Sequence, residues 1–165
     1  TAPIWGSFCM YSKLLKRIEL FLSENPSLQV GLDWICNEIQ QNIPNYDWVG
    51  FYFHHPKKKE LHLKAFAVKP TDHNVIPFGK GICGQVAVSN QNFVVDDVSQ
   101  QDNYISCSID VKSEIVIPLF VKAKNMGQID VDSYTPCAFD QKDVGFLEAV
   151  NNLVSAFLLR INPQF

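Results

Sequence analysis

Cys83 sits between Gly81 and Gly84, in "GKGICGQVAVSN" at positions 79 to 90, ahead of what reads as a short helix and close to Lys80. The positive end of a helix dipole and a lysine both favour a thiolate, the nucleophilic and redox-active form of cysteine. An Ile-Cys-Gly sequence equally suits a small buried thiol, and the residues alone leave both readings open. Cys107, in "YISCSIDVKS", has polar neighbours and no evident packing role, which favours reactive chemistry there. Cys36 falls on the apolar stripe of a helix and reads as core, whereas Cys9 and Cys137 have no assigned task.

A second group of reactive types is acidic. In "GQIDVDS", Ile129 and Val131 point one way along a strand, and Asp130 and Asp132 point the other. In "DWVGFYF", Trp48, Gly50 and Tyr52 share a face, opposite Val49, Phe51 and Phe53. If the aliphatic face meets the core, the other face carries two aromatics and two carboxylates. That mixture suits a pocket for a small molecule with a cationic end and an apolar end. The competing reading of Asp130 and Asp132 is the solvated half of a hairpin strand, and of Glu114, in "KSEIVIPLF", a surface residue where a strand starts.

These side chains must be positioned by ordinary elements. Leu14, Leu15, Ile18, Phe21 and Leu22 recur at helical spacing from Tyr11 to about Glu24, and Pro26 stops that helix. A second helix follows Ser27 and ends near Pro44. The period then changes to two through "DWVGFYFH", "ELHLKAFAV", "EIVIPLFVK" and "GQIDVDS", with turns at "PKKKE" and "KAKNMG". Two long polar connections separate the strands, and long loops in a compact domain are more often functional than idle. A last helix after Thr135-Pro136 keeps an apolar stripe through Val144, Leu147, Val150, Val154 and Phe157. The order predicts an α+β fold, an antiparallel sheet with helices packed against one side.

The 165 residues suit one domain with a substantial core, and a net charge of -3 argues against nucleic acid as a partner. The basic run "PKKKE" reads as a solvated hairpin tip. No apolar run approaches the roughly 20 residues that span a bilayer, so no membrane role and a cytoplasmic location are expected. Five irregularly spaced cysteines fit neither a secreted disulfide framework nor a CxxC zinc pattern. The histidines at 54, 55, 62 and 73 form no recurring ligand spacing with the cysteines, and no metal is expected. "GKGICG" lacks the spacing of a phosphate loop. Residues 1–9 lack periodicity and read as a leader or extension, leaving 10–165 as the domain.

Taken together, "YDWVGFYF", "IPFGKGICGQVAVSNQ", "VVDDVSQQDNYISCSIDVKSEIVIPLFV" and "GQIDVDS" closely resemble the GAF-domain family of free methionine-(R)-sulfoxide reductases. The resemblance runs from about Tyr46 to the C-terminal helix. It implies a single GAF domain: a central antiparallel sheet, helices on one face and a loop-covered ligand pocket on the other. It also implies an enzyme that reduces the R form of free methionine sulfoxide and leaves the residue within proteins untouched.

By that resemblance the catalytic thiol is Cys107, and Glu114, Asp130 and Asp132 hold the free amino group and assist proton donation. Trp48 and Tyr52 enclose the substrate methyl group. A Cys107 sulfenic acid would condense with a second cysteine, and thioredoxin or another thiol would reduce the disulfide. No bound cofactor is implied, and a homodimer through the terminal helices is. Family members with three cysteines carry one in the loop before "IPxGKGxCG", where this chain has His73. Cys83 matches the other loop cysteine and is the candidate resolver. The rival reading is a GAF module that binds an amino-acid-like ligand and signals without efficient turnover, since GAF folds host both activities.

Overall fold

The computed structural model describes residues 4–104 and 109–164. Helix α1 (Ile4–Ser23) starts well before the apolar periodicity becomes legible at Tyr11, so the segment read as a leader is already helical from Ile4. Helix α2 (Leu28–Asn42) opens where Ser27 accepts a hydrogen bond from the Val30 amide, satisfying one of the donors a helix start leaves bare.

The sheet consists of β1 (Trp48–His54), β2 (Glu60–Ala67), β3 (Val75–Pro77), β4 (Phe93–Val95), β5 (Ser113–Val121) and β6 (Lys124–Ser133). Their spatial order is β3-β2-β1-β6-β5-β4, and every neighbouring pair is antiparallel. The helices α3 (Gly81–Ser89) and α4 (Gln141–Ile161) complete the fold. Helices α1, α2 and α4 form one layer, against which Val49, Phe51, Phe53, Ile129 and Val131 make the main core, as the strand alternation predicts. By length and composition α4 alone would pass for a membrane span, but its stripe from Val144 to Phe157 is buried within the core.

The start of α4 is locked by a capping box, Asp140 accepting from the Lys142 amide and Asp143 accepting from the Asp140 amide at 2.8 Å. The same Asp143 accepts the hydroxyls of Tyr11 and Tyr46 at 2.6 and 2.8 Å, tying α1 and the entrance to β1 onto α4.

Two sequence expectations are corrected. The turn read over "KAKNMG" is only Lys122-Ala123, both at positive φ (49° and 63°), and β6 begins at Lys124. Paired positive φ values match the right-handed twist of the flanking strands, but they normally call for Asn-Gly, so nothing in Lys-Ala announces them. The first long connection contains β3, and the short helix read from Gly84 starts at Gly81; β4 and a 3-10 turn at Val98–Gln100 carry no sequence signal, because three-residue elements are too short to show a period.

Helix α3 lies on the sheet face opposite the other helices, with a second cluster under it that includes Trp48, Tyr52, Ile82, Cys83, Val86 and Val116. Its approach depends on Gly84. A Cβ there would sit 2.6 Å from the Pro77 carbonyl oxygen and 3.0 Å from the Gly79 nitrogen, both backbone atoms that cannot swing aside. We expect Gly84→Ala to destabilise by about 1–3 kcal/mol through overpacking, lowering Tm by about 2–12 °C. A melting curve matching that of the parent protein would contradict this contact.

Candidate functional site

The central strands β1, β5 and β6 present their second face to α3 and the adjoining loops. Antiparallel register places Trp48 beside Asp132 and Asp132 beside Glu114, one row across three strands. The next row is Gly50, Asp130 and Val116. Residues directly opposite in a sheet project to the same side, so the three acids and Trp48 converge. Gly50 is needed for this row, because a Cβ would overlap the Trp48 ring, which lies over it.

All three acids are buried, at 5% exposure for Glu114 and 1% each for Asp130 and Asp132, which rules out the solvated-strand reading. None forms a salt bridge among the described residues. Burial is the main cause that pushes their carboxyl pKa values up: Asp130 to about 7, Glu114 and Asp132 well above the usual range. The neighbouring carboxylates raise Glu114 further, while hydrogen bonds from Cys83 and Glu114 hold Asp130 the lowest of the three. Burial therefore favours the protonated form of Glu114 and Asp132, and Asp130 is the most readily ionised of the three. Among the described residues, Oδ1 of Asp130 and Oδ1 of Asp132 are buried without a hydrogen-bond partner, an arrangement that costs free energy until a donor or cation arrives.

Cys83 lies inside the first turn of α3 rather than ahead of the helix, because α3 begins at Gly81. It is 4% exposed, and its Sγ donates to Asp130 Oδ2 at 3.3 Å. The thiol is packed, as the second of the two readings has it, and it touches the acid cluster. Cys107 lies outside the described residues.

Trp48 and Tyr52 are buried, as the alternation requires, and their polar ends hold one loop. Trp48 Nε1 donates to the Lys69 carbonyl at 3.0 Å, and the Tyr52 hydroxyl donates to the His73 carbonyl at 2.9 Å. The segment bearing His73 is thus anchored over the sheet face. A cavity lined by His73, Lys80, Cys83, Glu114 and Asp130 measures about 10 Å³, roughly the room of one water. A second of the same size lies by Trp48, Asp132 and Tyr134.

Sequence reasoning missed Gln128. It is fully buried one step further along the face of Asp130 and Asp132, and its Nε2 donates to the Cys83 carbonyl at 3.2 Å, fastening α3 to β6. The alternation 128, 130, 132 was the available signal.

This arrangement can be set against known proteins. The GAF domain family matches residues 27–158. The free methionine-R-sulfoxide reductase of Saccharomyces cerevisiae is 30% identical over 149 residues, covering 83% of this chain and 82% of that protein. The X-ray structure of the Neisseria meningitidis free methionine-R-sulfoxide reductase in complex with its substrate superposes with a TM-score of 0.84 at 30% identity, covering 89% and 87% of the two chains. The reduced Staphylococcus aureus counterpart gives 0.83 at 32% identity, covering 90% and 94%. With its six-stranded antiparallel sheet and its acid-lined second face, this chain belongs to the GAF domain family, and free methionine-R-sulfoxide reductases are among its relatives.

Proposed function

We propose that the chain reduces free L-methionine-(R)-sulfoxide to L-methionine by thiol chemistry. The observation that carries this reading is the meeting of Cys83 with three buried, cation-free carboxyl groups beside Trp48 and Tyr52. A free α-ammonium supplies the positive charge and the donors that Asp130 and Asp132 lack, and the aromatic side chains offer an apolar wall for a methyl group. A methionine residue within a protein has no such ammonium, which gives the specificity for the free amino acid a physical cause.

In the proposed cycle, the Cys107 thiolate attacks the sulfoxide sulfur. One proton goes to the sulfoxide oxygen, and Glu114, whose burial favours the protonated carboxyl, is its proposed donor. Methionine leaves and Cys107 carries the oxygen as a sulfenic acid. The Cys83 thiol condenses with it, forming the disulfide and releasing water. Thioredoxin or another dithiol then reduces that disulfide, returning both thiols and becoming oxidised itself.

The test is NADPH consumption in a thioredoxin-coupled assay with the separated R and S isomers. Turnover of the R isomer is expected, with neither the S isomer nor N-acetylated substrate consumed. No turnover of the R isomer, even with a small dithiol replacing thioredoxin, would exclude the reductase reading and leave a ligand-binding GAF module.

A further inference from the structure

Cys83 Sγ, one carboxylate oxygen of Glu114 and one of Asp130 all lie within 4.8 Å of one another. They come from α3, β5 and β6, so no spacing in the sequence relates them. One edge of this triangle, Cys83 Sγ to Asp130 Oδ2, is 3.3 Å. A tetrahedral zinc ion with Zn–S near 2.3 Å and Zn–O near 2.0 Å sets ligand atoms about 3.5 Å apart. Closing the remaining edges requires a contraction of at most about 1.5 Å.

Two further observations point to a small cation. Asp130 is 1% exposed and its Oδ1 has no hydrogen-bond partner among the described residues. The cavity lined by all three side chains is about 10 Å³, the scale of a single atom or water. The only ammonium lining it belongs, among the described residues, to Lys80, an exposed residue whose long chain can reach solvent.

We propose that the reduced protein binds one divalent transition-metal ion, Zn2+ or Co2+, through Cys83, Glu114 and Asp130, with water in the fourth position. One thiolate with two carboxylates is a borderline-soft donor set that suits Zn2+ and disfavours Mg2+ and Ca2+, which take oxygen alone. The ion releases the protons of its ligands, so binding strengthens as pH rises. It also supplies the positive charge that the buried acids lack. The ion and the substrate ammonium compete for the same carboxyl groups, and a titration run without sulfoxide tests the metal site apart from that reading.

The experiment is anaerobic titration of the reduced protein with Co2+, followed in the near ultraviolet, where sulfur-to-cobalt charge transfer absorbs. One equivalent should give that band, and Zn2+ should bleach it. Cys83→Ser should abolish it, and Asp130→Asn and Glu114→Gln should each weaken Co2+ binding at least tenfold, with circular dichroism showing all variants folded. Absence of the band in the parent protein would overturn the proposal. So would a band unchanged by Cys83→Ser, which would assign the ion to other thiols such as the exposed Cys9 and Cys137. Should Cys83→Ser fail to fold, an unchanged affinity in both carboxyl variants would overturn it equally.

Discussion

Replacing Cys107 by serine lowers R-isomer turnover by at least about a thousandfold, the scale expected when a covalent nucleophile is removed. A serine hydroxyl has almost no anion near neutral pH and cannot carry the oxygen as a sulfenic acid. Binding should survive, because the proposed cycle holds the ammonium by carboxyl groups on β5 and β6 rather than by the thiol. Calorimetry with the R isomer is expected to give a Kd within a few fold of the parent protein. Cys83→Ser separates the two halves of the cycle. Its first turnover proceeds and releases one methionine per chain, after which the thioredoxin-coupled rate stops and a small thiol restores part of it. If Cys107→Ser kept parent-like turnover, the assignment of the nucleophile would fail. If Cys83→Ser cycled unchanged with thioredoxin, Cys83 would not be the resolver.

Asp130→Asn should make the empty protein more stable and a poorer binder. Asp130 titrates at about 7 in the fold against an ordinary value of 3.8, chiefly because burial disfavours its charged form. Between those pH values the unfolded chain has released a proton that the folded chain retains, so stability falls as pH rises. Below about pH 4 both states hold the proton and the penalty vanishes; above about pH 7 it is complete, on the order of 4 kcal/mol at most.

The neutral amide escapes this penalty. Thermal melts should place Asp130→Asn several degrees above the parent protein at pH 8 and close to it at pH 4. Affinity for the R isomer should drop at least tenfold at pH 8, since the charge that meets the ammonium is gone. A variant less stable than the parent at pH 8 would show that Asp130 is satisfied in the empty site. The acid cluster would then be a structural network. Conversely, saturating R isomer should stabilise the parent protein more at pH 8 than at pH 5, because the ligand's ammonium favours the ionised carboxylate.

Strand alternation by itself fixes the two faces of β1 and β6. Val49, Phe51, Phe53, Ile129 and Val131 had to share one side, and Trp48, Tyr52, Asp130 and Asp132 the other, because side chains alternate along an extended backbone. Helical spacing likewise fixed α2 and α4, where long apolar stripes repeat many times. The likeness in the loop motifs pointed to the GAF family, which the relatives bear out.

Tertiary structure alone decided what surrounds those faces. Whether Asp130 meets water or protein depends on α3 folding over it, while Asp132 lies beside Trp48 and the loop at 69–71; the docking of α3 rests on Gly84 having no side chain and on Gln128 reaching the Cys83 carbonyl. Neither requirement leaves a local periodic signal. The alignment of Glu114 with Asp132 depends on the register between β5 and β6, set through the positive φ angles of Lys122 and Ala123. A one-residue slip would send every acid to the opposite face with no change in composition. The raised carboxyl pKa values follow from the same burial. Sequence determined which residues share a side, since that is a property of one chain segment; their solvation and mutual distances are properties of several segments packed together.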